Sequence, residues 1–340
     1  MGGQVGDRGT LTDSEGRVIE IYDTKRENGM AVHLAKNMPA DPADEFVAEI
    51  DVKARRATSC NHSATHLLHK ALREVLGTHV EQKGSFVSPE VLRFDFSHFQ
   101  KVTPEELREV EHRANAMVRE AIALDERRCV PIAEAREMGA MALFGEKYGE
   151  EVRVIRFGES VELCGGTHVA NTGNIGMIRI ISESSTAAGI RRIEAITGEK
   201  VEEALDVMAD NLKEIGVLLN NAPDVIAALR RSISENADLR KQVDDFMQER
   251  IASMASKLIE HAETVNGRKI VSLSGVKVPD MVKGVAFAVR AASPENTAFV
   301  AATSDMTGKP LLTVMVTEDF AKEGLSASNI CLLYTSDAAD

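Results

Sequence analysis

The chain of 340 residues contains no tryptophan, and aromatic residues make up only 4% of it. This shortage disfavours the aromatic platforms on which single-stranded nucleic acids stack. Four cysteines in so long a chain do not form a disulfide framework, which favours a reducing, cytoplasmic environment. No apolar run reaches the roughly 18 residues of a membrane span, and no secretory leader pattern is found. We therefore expect a cytoplasmic protein with no membrane partner.

The charge balance is acidic, with 53 Asp and Glu residues against 40 Lys and Arg residues and a net charge of −13. General nucleic-acid binders usually show the opposite excess. Phosphate contacts would therefore depend on local basic groups, such as the adjacent pair Arg191 and Arg192. The sequence also lacks a P-loop, a dinucleotide-binding glycine motif and a GxSxG nucleophile motif, so ATP chemistry has no visible site.

Alternating apolar and polar residues predict strands over 16–22, 30–35 and 45–53, and we interpret residues 1–55 as a small, β-barrel-like subdomain. A helical period then begins. It predicts a helix over 58–76, ended by Gly77, and a second helix from the capping box Thr103–Glu106 to about Leu124. Residues 85–97 are typical of a β-hairpin, and strands are predicted over 152–157, 160–163, 175–182 and 189–197. Residues 56–198 thus form the main α+β domain.

Two long, charged helices are predicted over 199–219 and 223–265, forming a linker over 199–266. Leu229, Leu239, Val243 and Phe246 follow a weak heptad, which indicates either a short coiled coil or helical hairpin, or two solvated helices packed on the rest. Residues 267–330 are expected to form a small α/β domain, with a helix near 279–291 and strands over 269–273, 297–302 and 311–316. The predicted fold class is α+β throughout.

Two histidines four residues apart, His62 and His66, lie on the first predicted helix. Their spacing places both imidazoles on one helix face, where they can converge on a metal ion. Such a pair is also common as solvated or capping residues. Here, however, it lies among Asn61, Ser63 and Thr65 and away from the leucine face, so we expect a polar face that opens into a cleft.

A second candidate half-site follows the strand that ends at Leu163. In Cys164-Gly165-Gly166-Thr167-His168 the two glycines allow a tight turn that brings a thiolate and an imidazole to one side. Taken alone, Cys-Gly-Gly is often only a turn. Together the two half-sites supply three histidines and one cysteine, which is a ligand set for tetrahedral zinc. His69 is a weaker candidate ligand, and Cys129, just before Pro131, is interpreted as a buried thiol.

Five segments of the chain, in this order and spacing, resemble the editing region of bacterial alanyl-tRNA synthetases: NHSATHLLHKALREVLGTHVEQKGS, LRFDFSH, MALFGEKYG, ELCGGTHV and AAGIRRIEAITG. The resemblance is dense over residues 1–200. It is looser over residues 200–330, which are similar to the helical linker and C-terminal domain of that family. The opening GGQVGD resembles the glycine-rich start of the family's editing region.

The resemblance implies an editing hydrolase that cleaves wrongly charged seryl- or glycyl-tRNA at the acceptor end of tRNA(Ala). It implies one Zn²⁺ ion held by His62, His66, Cys164 and His168, with Gln82 in the amino-acid pocket. We further hypothesise that Gln82 or Thr167 hydrogen-bonds the seryl hydroxyl, which would reject the alanyl ester. Cys164 is also a catalytic candidate, since loosening of its thiolate would open a coordination position.

Departures from the family pattern set further expectations. The aminoacylation half is absent, so we expect a C-terminal fragment that does not use ATP, with a truncated C-terminal domain. Residues 331–340, CLLYTSDAAD, match one reading frame of a common transposon-end sequencing adapter, and we interpret them as adapter translation. Two alternatives remain open at this point: a free-standing alanyl-tRNA editing hydrolase, and a non-catalytic, zinc-stabilised module that binds tRNA.

Overall fold

A computed structural model describes residues 3–141, 149–275, 279–304, 307–328 and 330. The suspected adapter segment 331–340 and most of the segment MALFGEKYG lie outside these residues. The chain divides into two compact units, Met1–Lys213 and Glu214–Asp340. Helices and several small sheets alternate in both, so the predicted α+β class is confirmed. Within the described ranges, no helix is long and apolar enough to cross a bilayer.

The first sheet contains four antiparallel strands, β1 (Gly9–Thr12), β2 (Val18–Glu27), β3 (Met30–Ala35) and β4 (Val47–Ile50). Their order is β3-β2-β1-β4, so β3 and β4 form opposite edges and the sheet, as described, does not close. The expected barrel-like subdomain is therefore wrong. Closure would need hydrogen bonds between the two edge strands, and strand alternation along a sequence cannot reveal whether they form.

Helix α1 (Val52–Leu76) begins earlier than predicted because Asp51 caps it, accepting a hydrogen bond from the Ala54 amide at 2.9 Å. This cap also ends the preceding strand at Ile50, although the alternating pattern continues to residue 53. At the other end, Gly77 has φ +117°, a conformation that disfavours other residues, and its amide donates to the Arg73 carbonyl. The predicted end of the helix is confirmed. Most side chains of residues 60–72 are buried.

The second sheet has the order β10-β11-β6-β5 and forms the floor on which two helices pack. Its strands are β5 (Gln82–Val87), β6 (Leu92–Ser97), β10 (Ile178–Ala187) and β11 (Ile190–Thr197). Helix α2 (Pro104–Arg119) starts at the predicted capping box. It ends at Arg119 rather than near Leu124, since Ala121 has φ +49°. The core between helices and sheet is apolar, with fully buried Leu67, Leu68, Leu72, Phe94, Phe96 and Ile193.

The third sheet, β7-β8-β9, was only partly predicted. It contains β7 (Asp125–Pro131), β8 (Glu151–Phe157) and β9 (Ser160–Leu163), and helix α3 (Ile132–Glu137) follows β7. The register of β7 shifts between Arg127 and Val130, where Cys129 has φ +56° and is exposed. The expectation of a buried thiol at Cys129 is therefore wrong, because this bulge turns the residue outward. A short 3-10 turn, Thr172–Ile175, precedes β10.

The second unit is built around one long helix and a four-stranded sheet. Helix α4 (Glu199–Leu218) spans the boundary between the units, and α5 (Val225–Glu260) lies in the second. The sheet order is β12-β13-β14-β15, with a parallel pair between β13 and β14. Its elements are β12 (Glu263–Val265), β13 (Arg268–Ser274), α6 (Pro279–Ala292), β14 (Thr297–Ser304), β15 (Pro310–Val316) and α7 (Glu318–Lys322). The proposed heptad residues Leu229, Leu239, Val243 and Phe246 are exposed, so coiled-coil pairing remains a prediction.

A buried amide ties α2 to the second sheet and allows a first prediction. Asn115 accepts a hydrogen bond from the Ile178 amide and donates to the Ile178 carbonyl, both at 2.8 Å. In the Asn115→Ala variant both backbone groups lose their partner, and unsatisfied buried groups cost about 1–3 kcal/mol each. We expect the free energy of unfolding, measured by urea denaturation, to fall by about 2–4 kcal/mol.

The matched control is Arg108→Ala on the same helix, where an exposed side chain has only a surface ion pair. This change should stay within about 0.5 kcal/mol of the unmodified chain. An Asn115→Ala variant as stable as the control would contradict the prediction.

Candidate metal centre

The two histidines of α1 face the protein interior. His62 and His66 are each 3% exposed, and their neighbours Asn61, Ser63 and Thr65 are buried as well. The polar face was expected to open into a cleft. This expectation is wrong, because another part of the chain covers the face. Asn61 is held by its side chain, which donates to the Ser88 carbonyl and accepts from the Thr197 hydroxyl.

The turn after β9 brings the second half-site to this face. Strand β9 is fully buried, and Cys164 follows it directly. The Arg153 guanidinium donates to the carbonyl oxygens of Cys164 and Gly166, at 3.0 and 2.6 Å, and so fixes the turn. The Ser63 hydroxyl lies 3.1 Å from His168 Nδ1 and accepts from the Val169 amide. Both predicted half-sites thus meet across one buried contact.

The four predicted ligand residues form one group, here called the His3Cys cluster: His62, His66, Cys164 and His168. Their potential ligand atoms all lie within 4.8 Å of one another. The Cys164 Sγ atom is 3.3 Å from Nε2 of both His62 and His168. The three imidazole centroids are 4.6–5.5 Å apart. This donor set can hold a divalent metal ion.

The electrostatics of the His3Cys cluster favour metal-binding protonation states. Burial, followed by the nearby charge of Arg153, lowers the pKa of His62 to about 4. Burial, followed by His62 and Arg153, lowers the pKa of His168 to about 2. Burial also holds the pKa of His66 well below its ordinary value. The imidazoles are therefore neutral near pH 7, as a ligand histidine must be.

A buried carboxylate supports the cluster from behind. Glu162 Oε2 lies 3.5 Å from His66 Nε2, and Glu162 Oε1 lies 2.9 Å from Nδ1 of His69. Burial disfavours the ionised form of Glu162, but His66 and His69 hold the pKa of this carboxyl below its usual value. His69, the weaker ligand candidate, is outside the His3Cys cluster and contacts this carboxylate instead.

The cluster fits a bound cation in two respects. Among the described residues, the buried His66 Nδ1 has no hydrogen-bond partner, and a metal ion is a partner for such an atom. The charges also balance, because a divalent ion bound by one thiolate keeps one positive charge, which the buried Glu162 carboxylate offsets. Carboxylates that orient ligand histidines are a recurring feature of metal sites.

Sequence reasoning missed Gln4, which contacts the cluster most closely from outside it. Its Oε1 atom lies 2.6 Å from His62 Nδ1 and accepts from the Thr167 amide at 2.9 Å. Gln4 belongs to a short segment that pairs with Val87 at the end of β5. The only signal in the sequence is the GGQVGD motif, whose glycines permit close backbone approach: a Cβ at Gly3 or Gly6 would lie about 2 Å from a carbonyl oxygen.

The other predicted site residues lie in different places. Thr167 joins the cluster through Gln4 and also accepts a hydrogen bond from Ser59. Gln82 lies on β5, is partly buried and donates to the Ser85 hydroxyl at 3.3 Å. Arg191 and Arg192 are paired with carboxylates of their own sheet: Arg191 with Glu183, and Arg192 with Asp95 through two hydrogen bonds. The roles of these residues stay predictions.

A cleft of about 1250 Å³ adjoins the cluster. The Gly165–Thr167 turn and Gln4 form one wall, and β2 forms another through residues 22–27. Four cationic side chains line it, of which Arg8 and Arg55 are ion-paired with acidic neighbours. Lys25 and Arg26 form no ion pair within the described residues. Four carboxylates, of Asp7, Asp23, Glu27 and Glu90, line the cleft as well, so its cationic and anionic side chains are equal in number.

The sequence of the chain is similar to one family model and to several known proteins. The family model for the "Threonyl and Alanyl tRNA synthetase second additional domain" matches residues 152–194. Alanine–tRNA ligases of Bacteroides fragilis, Parabacteroides distasonis and Porphyromonas gingivalis are 54%, 50% and 49% identical to it, each over 97% of this chain. The chain belongs to the alanine–tRNA ligase family.

This chain spans 38% of the length of each of these ligases. It is similar to one part of an alanine–tRNA ligase, as the resemblance of the quoted motifs predicted. The matched domain, residues 152–194, contains Cys164 and His168. His62 and His66 lie on α1, before that domain, so the His3Cys cluster is shared between the matched domain and the segment preceding it.

Proposed function

We propose that this chain is the part of an alanine–tRNA ligase that hydrolyses seryl- or glycyl-tRNA(Ala) at a zinc site formed by the His3Cys cluster. The observation that carries the proposal is the position of the cluster: His62 and His66 are buried, Cys164 and His168 are partly buried, and the Gly165–Thr167 turn between the latter two lines the cleft. Three imidazoles and a thiolate are a zinc ligand set. The aminoacylation reaction is not assigned to these residues.

The cleft is the proposed seat of the tRNA acceptor end. Lys25 and Arg26, which have no ion-pair partner within the described residues, would contact its phosphates. Arg191 and Arg192 were the predicted contacts, but their charges are already neutralised by Glu183 and Asp95. This supports a phosphate path along β2, although the net charge of the chain is −13.

Substrate selection is proposed to depend on hydroxyl recognition. Thr167 lines the cleft, and its hydroxyl already belongs to a hydrogen-bonded chain with Gln4 and Ser59. A seryl hydroxyl can join such a chain, whereas an alanyl methyl group would leave a polar group unpaired. Sites that hydrogen-bond a substrate hydroxyl reject analogues without it by up to about 10⁴–10⁵-fold. Gln82 remains the second candidate for this contact.

The proposed chemistry divides between ion and protein. Zn²⁺ in such a site supplies Lewis acidity toward an ester carbonyl or an attacking water. The protein would orient the ester in the cleft, hold three imidazoles neutral and keep bulk water from the ligands through burial. Four protein ligands make a closed site, which is typical of structural zinc. Cys164 is partly exposed, so it is the ligand best placed to leave the ion and open a coordination position.

The proposal extends to domain organisation. We propose residues 56–198 as the editing domain, 1–55 as its β subdomain, 199–266 as a helical linker and 267–330 as the truncated C-terminal domain. The 1–213 unit contains the first two of these. The protein would act in translation quality control in the cytoplasm.

Hydrolysis assays on zinc-loaded protein test the proposal directly. Release of the amino acid from seryl-, glycyl- and alanyl-tRNA(Ala) would be followed with equal amounts of each substrate. We expect rapid hydrolysis of seryl-tRNA and slow hydrolysis of alanyl-tRNA, since rejection by an unpaired polar group can reach about 10⁴-fold. Rapid hydrolysis of glycyl-tRNA is expected from the family resemblance alone, because glycine has no hydroxyl for this contact. A protein treated with a chelator is the control.

Two outcomes would contradict the proposal. Equal hydrolysis of seryl- and alanyl-tRNA would exclude an editing role. Hydrolysis of no substrate, combined with tight tRNA binding, would instead support the non-catalytic zinc-stabilised module.

A further inference from the structure

We propose that Gln4 is a positioning residue that fixes the tautomer of His62, so that the metal-facing nitrogen of this ring is Nε2. The inference rests on the proposed metal site, and it concerns a residue outside the ligand set. Three hydrogen bonds and one backbone pairing carry it. None of them involves the reaction itself.

The orientation of the Gln4 amide is set by the backbone of Thr167. The Thr167 N–H is an obligatory donor and lies 2.9 Å from Gln4 Oε1. An amide NH₂ group has no lone pair with which to accept this bond. The atom of the Gln4 side chain that faces the Thr167 amide must therefore be the oxygen. The Thr167 hydroxyl, 3.2 Å from the same oxygen, donates to it as well.

The oxygen in turn determines which nitrogen of His62 carries the proton. His62 Nδ1 lies 2.6 Å from Gln4 Oε1. Two lone pairs cannot face each other at this distance, so Nδ1 must be the protonated nitrogen. In the neutral ring Nε2 then carries the lone pair. Nε2 is the atom 3.3 Å from Cys164 Sγ, where the ligand atoms converge.

The backbone holds Gln4 in place. The Val87 amide donates to the Gly3 carbonyl, and the Val5 amide donates to the Val87 carbonyl, both at 2.9 Å. Gly3 is packed so closely that a Cβ there would lie 2.0 Å from the Ser85 carbonyl oxygen. Gln4 lies between these two anchored residues. Its side chain is thus presented to the ring by a strand pairing on β5, independently of α1.

Two substitutions separate tautomer control from simple packing. Gln4→Leu removes the acceptor, whereas Gln4→Glu keeps an oxygen acceptor for both donors. We expect Gln4→Leu to weaken Zn²⁺ binding about 10- to 100-fold, the usual cost of losing an outer-shell partner. Gln4→Glu should stay within about threefold of the unmodified chain by the same reasoning. The Zn²⁺ Kd would be measured by competition with a chromophoric chelator, with exposed Gln100→Leu as the matched control.

A spectroscopic measurement determines the tautomer of His62 directly, and in the unmodified chain it needs no variant. Long-range ¹H–¹⁵N correlation spectra of the metal-free protein near pH 7 distinguish a protonated Nδ1 from a protonated Nε2. We expect His62 to be protonated at Nδ1 in the unmodified chain, and Gln4→Leu to give a mixture of tautomers. This reading holds even where a variant folds poorly.

Each outcome has one meaning. Protonation at Nε2 in the unmodified chain, a Gln4→Leu variant with unchanged Zn²⁺ affinity, or a Gln4→Glu variant as weak as Gln4→Leu would each overturn the inference. An unmodified chain that binds no Zn²⁺ while His62 is protonated at Nδ1 would overturn the proposed function and leave the role of Gln4 intact.

Discussion

Replacement of Cys164 by alanine is expected to weaken Zn²⁺ binding by about 10²- to 10³-fold. This loss corresponds to one of four ligands, that is, to about one quarter of the roughly 10–16 kcal/mol of binding free energy typical of a structural zinc site. Cys164 supplies the only sulfur of the His3Cys cluster, and its Sγ atom lies 3.3 Å from Nε2 of both His62 and His168. Competition with a chelator measures the loss. In the Co²⁺-substituted protein, the thiolate-to-metal absorption band should disappear.

Cys129→Ala is the matched control, because this cysteine is exposed and belongs to the β7 bulge. It should leave both the affinity and the Co²⁺ band unchanged. A Cys164→Ala protein that keeps the band would exclude the thiolate as a ligand. The same variant separates two roles of the thiolate. If it still hydrolyses the substrate at saturating Zn²⁺, the thiolate is dispensable for the chemistry. If the variant loses the metal and unfolds, the role of the thiolate is structural.

Gly166→Ala is expected to reduce Zn²⁺ affinity by roughly 100-fold or more, at the upper end of what misplacing a ligand's surroundings costs. An alanine Cβ at this position would lie 2.0 Å from Cε1 and 2.2 Å from Nδ1 of His62, and 2.8 Å from Gln4 Oε1. No carbon atom tolerates such distances, so the His62 ring must move and lose its bond to Gln4. Chelator competition again measures the effect.

Gly216→Ala on α4 is the control for Gly166→Ala, since an added Cβ there meets nothing within 4 Å. Neither glycine has φ in the left-handed region, so the comparison isolates the steric contact from backbone strain. The control should bind Zn²⁺ like the unmodified chain. Equal affinity in the two variants would contradict the close approach of Gly166 to His62.

Local rules predicted the elements whose causes are local. The capping box at Thr103 and the terminating Gly77 both depend on residues within one helical turn, and both are confirmed. The start of α1 was misplaced because Asp51 lies within an alternating pattern that continues the strand. Only the observed hydrogen bond from Ala54 reveals the cap. Strand β7 was missed because its charged, bulged sequence DERRCVP lacks the apolar alternation of a half-buried strand.

The same division applies to the site. The ligand set was predictable because imidazole and thiol groups at helical and turn spacing have few uses together. Its supporting groups were not, because Gln4, Glu162 and Arg153 act across contacts that no sequence spacing encodes. Gln4 lies 163 residues before Thr167, and Glu162 lies 93 residues after His69. The ion pairs of Arg191 and Arg192 are likewise formed across strands, so the sequence did not reveal that carboxylates already neutralise both charges.

The spacing of the ligands has a mechanical consequence. His62 and Cys164 are 102 residues apart in the chain, so an ion bound by both closes a loop that contains α2, α3 and strands of two sheets. Such a clip restricts the unfolded chain, and the entropy it removes grows with the length of the loop. Opening of α1 or of the turn after β9, which carry the ligands, would separate the groups that the ion joins. Release of the ion and opening of these two segments would therefore be coupled, although they are distant in the sequence.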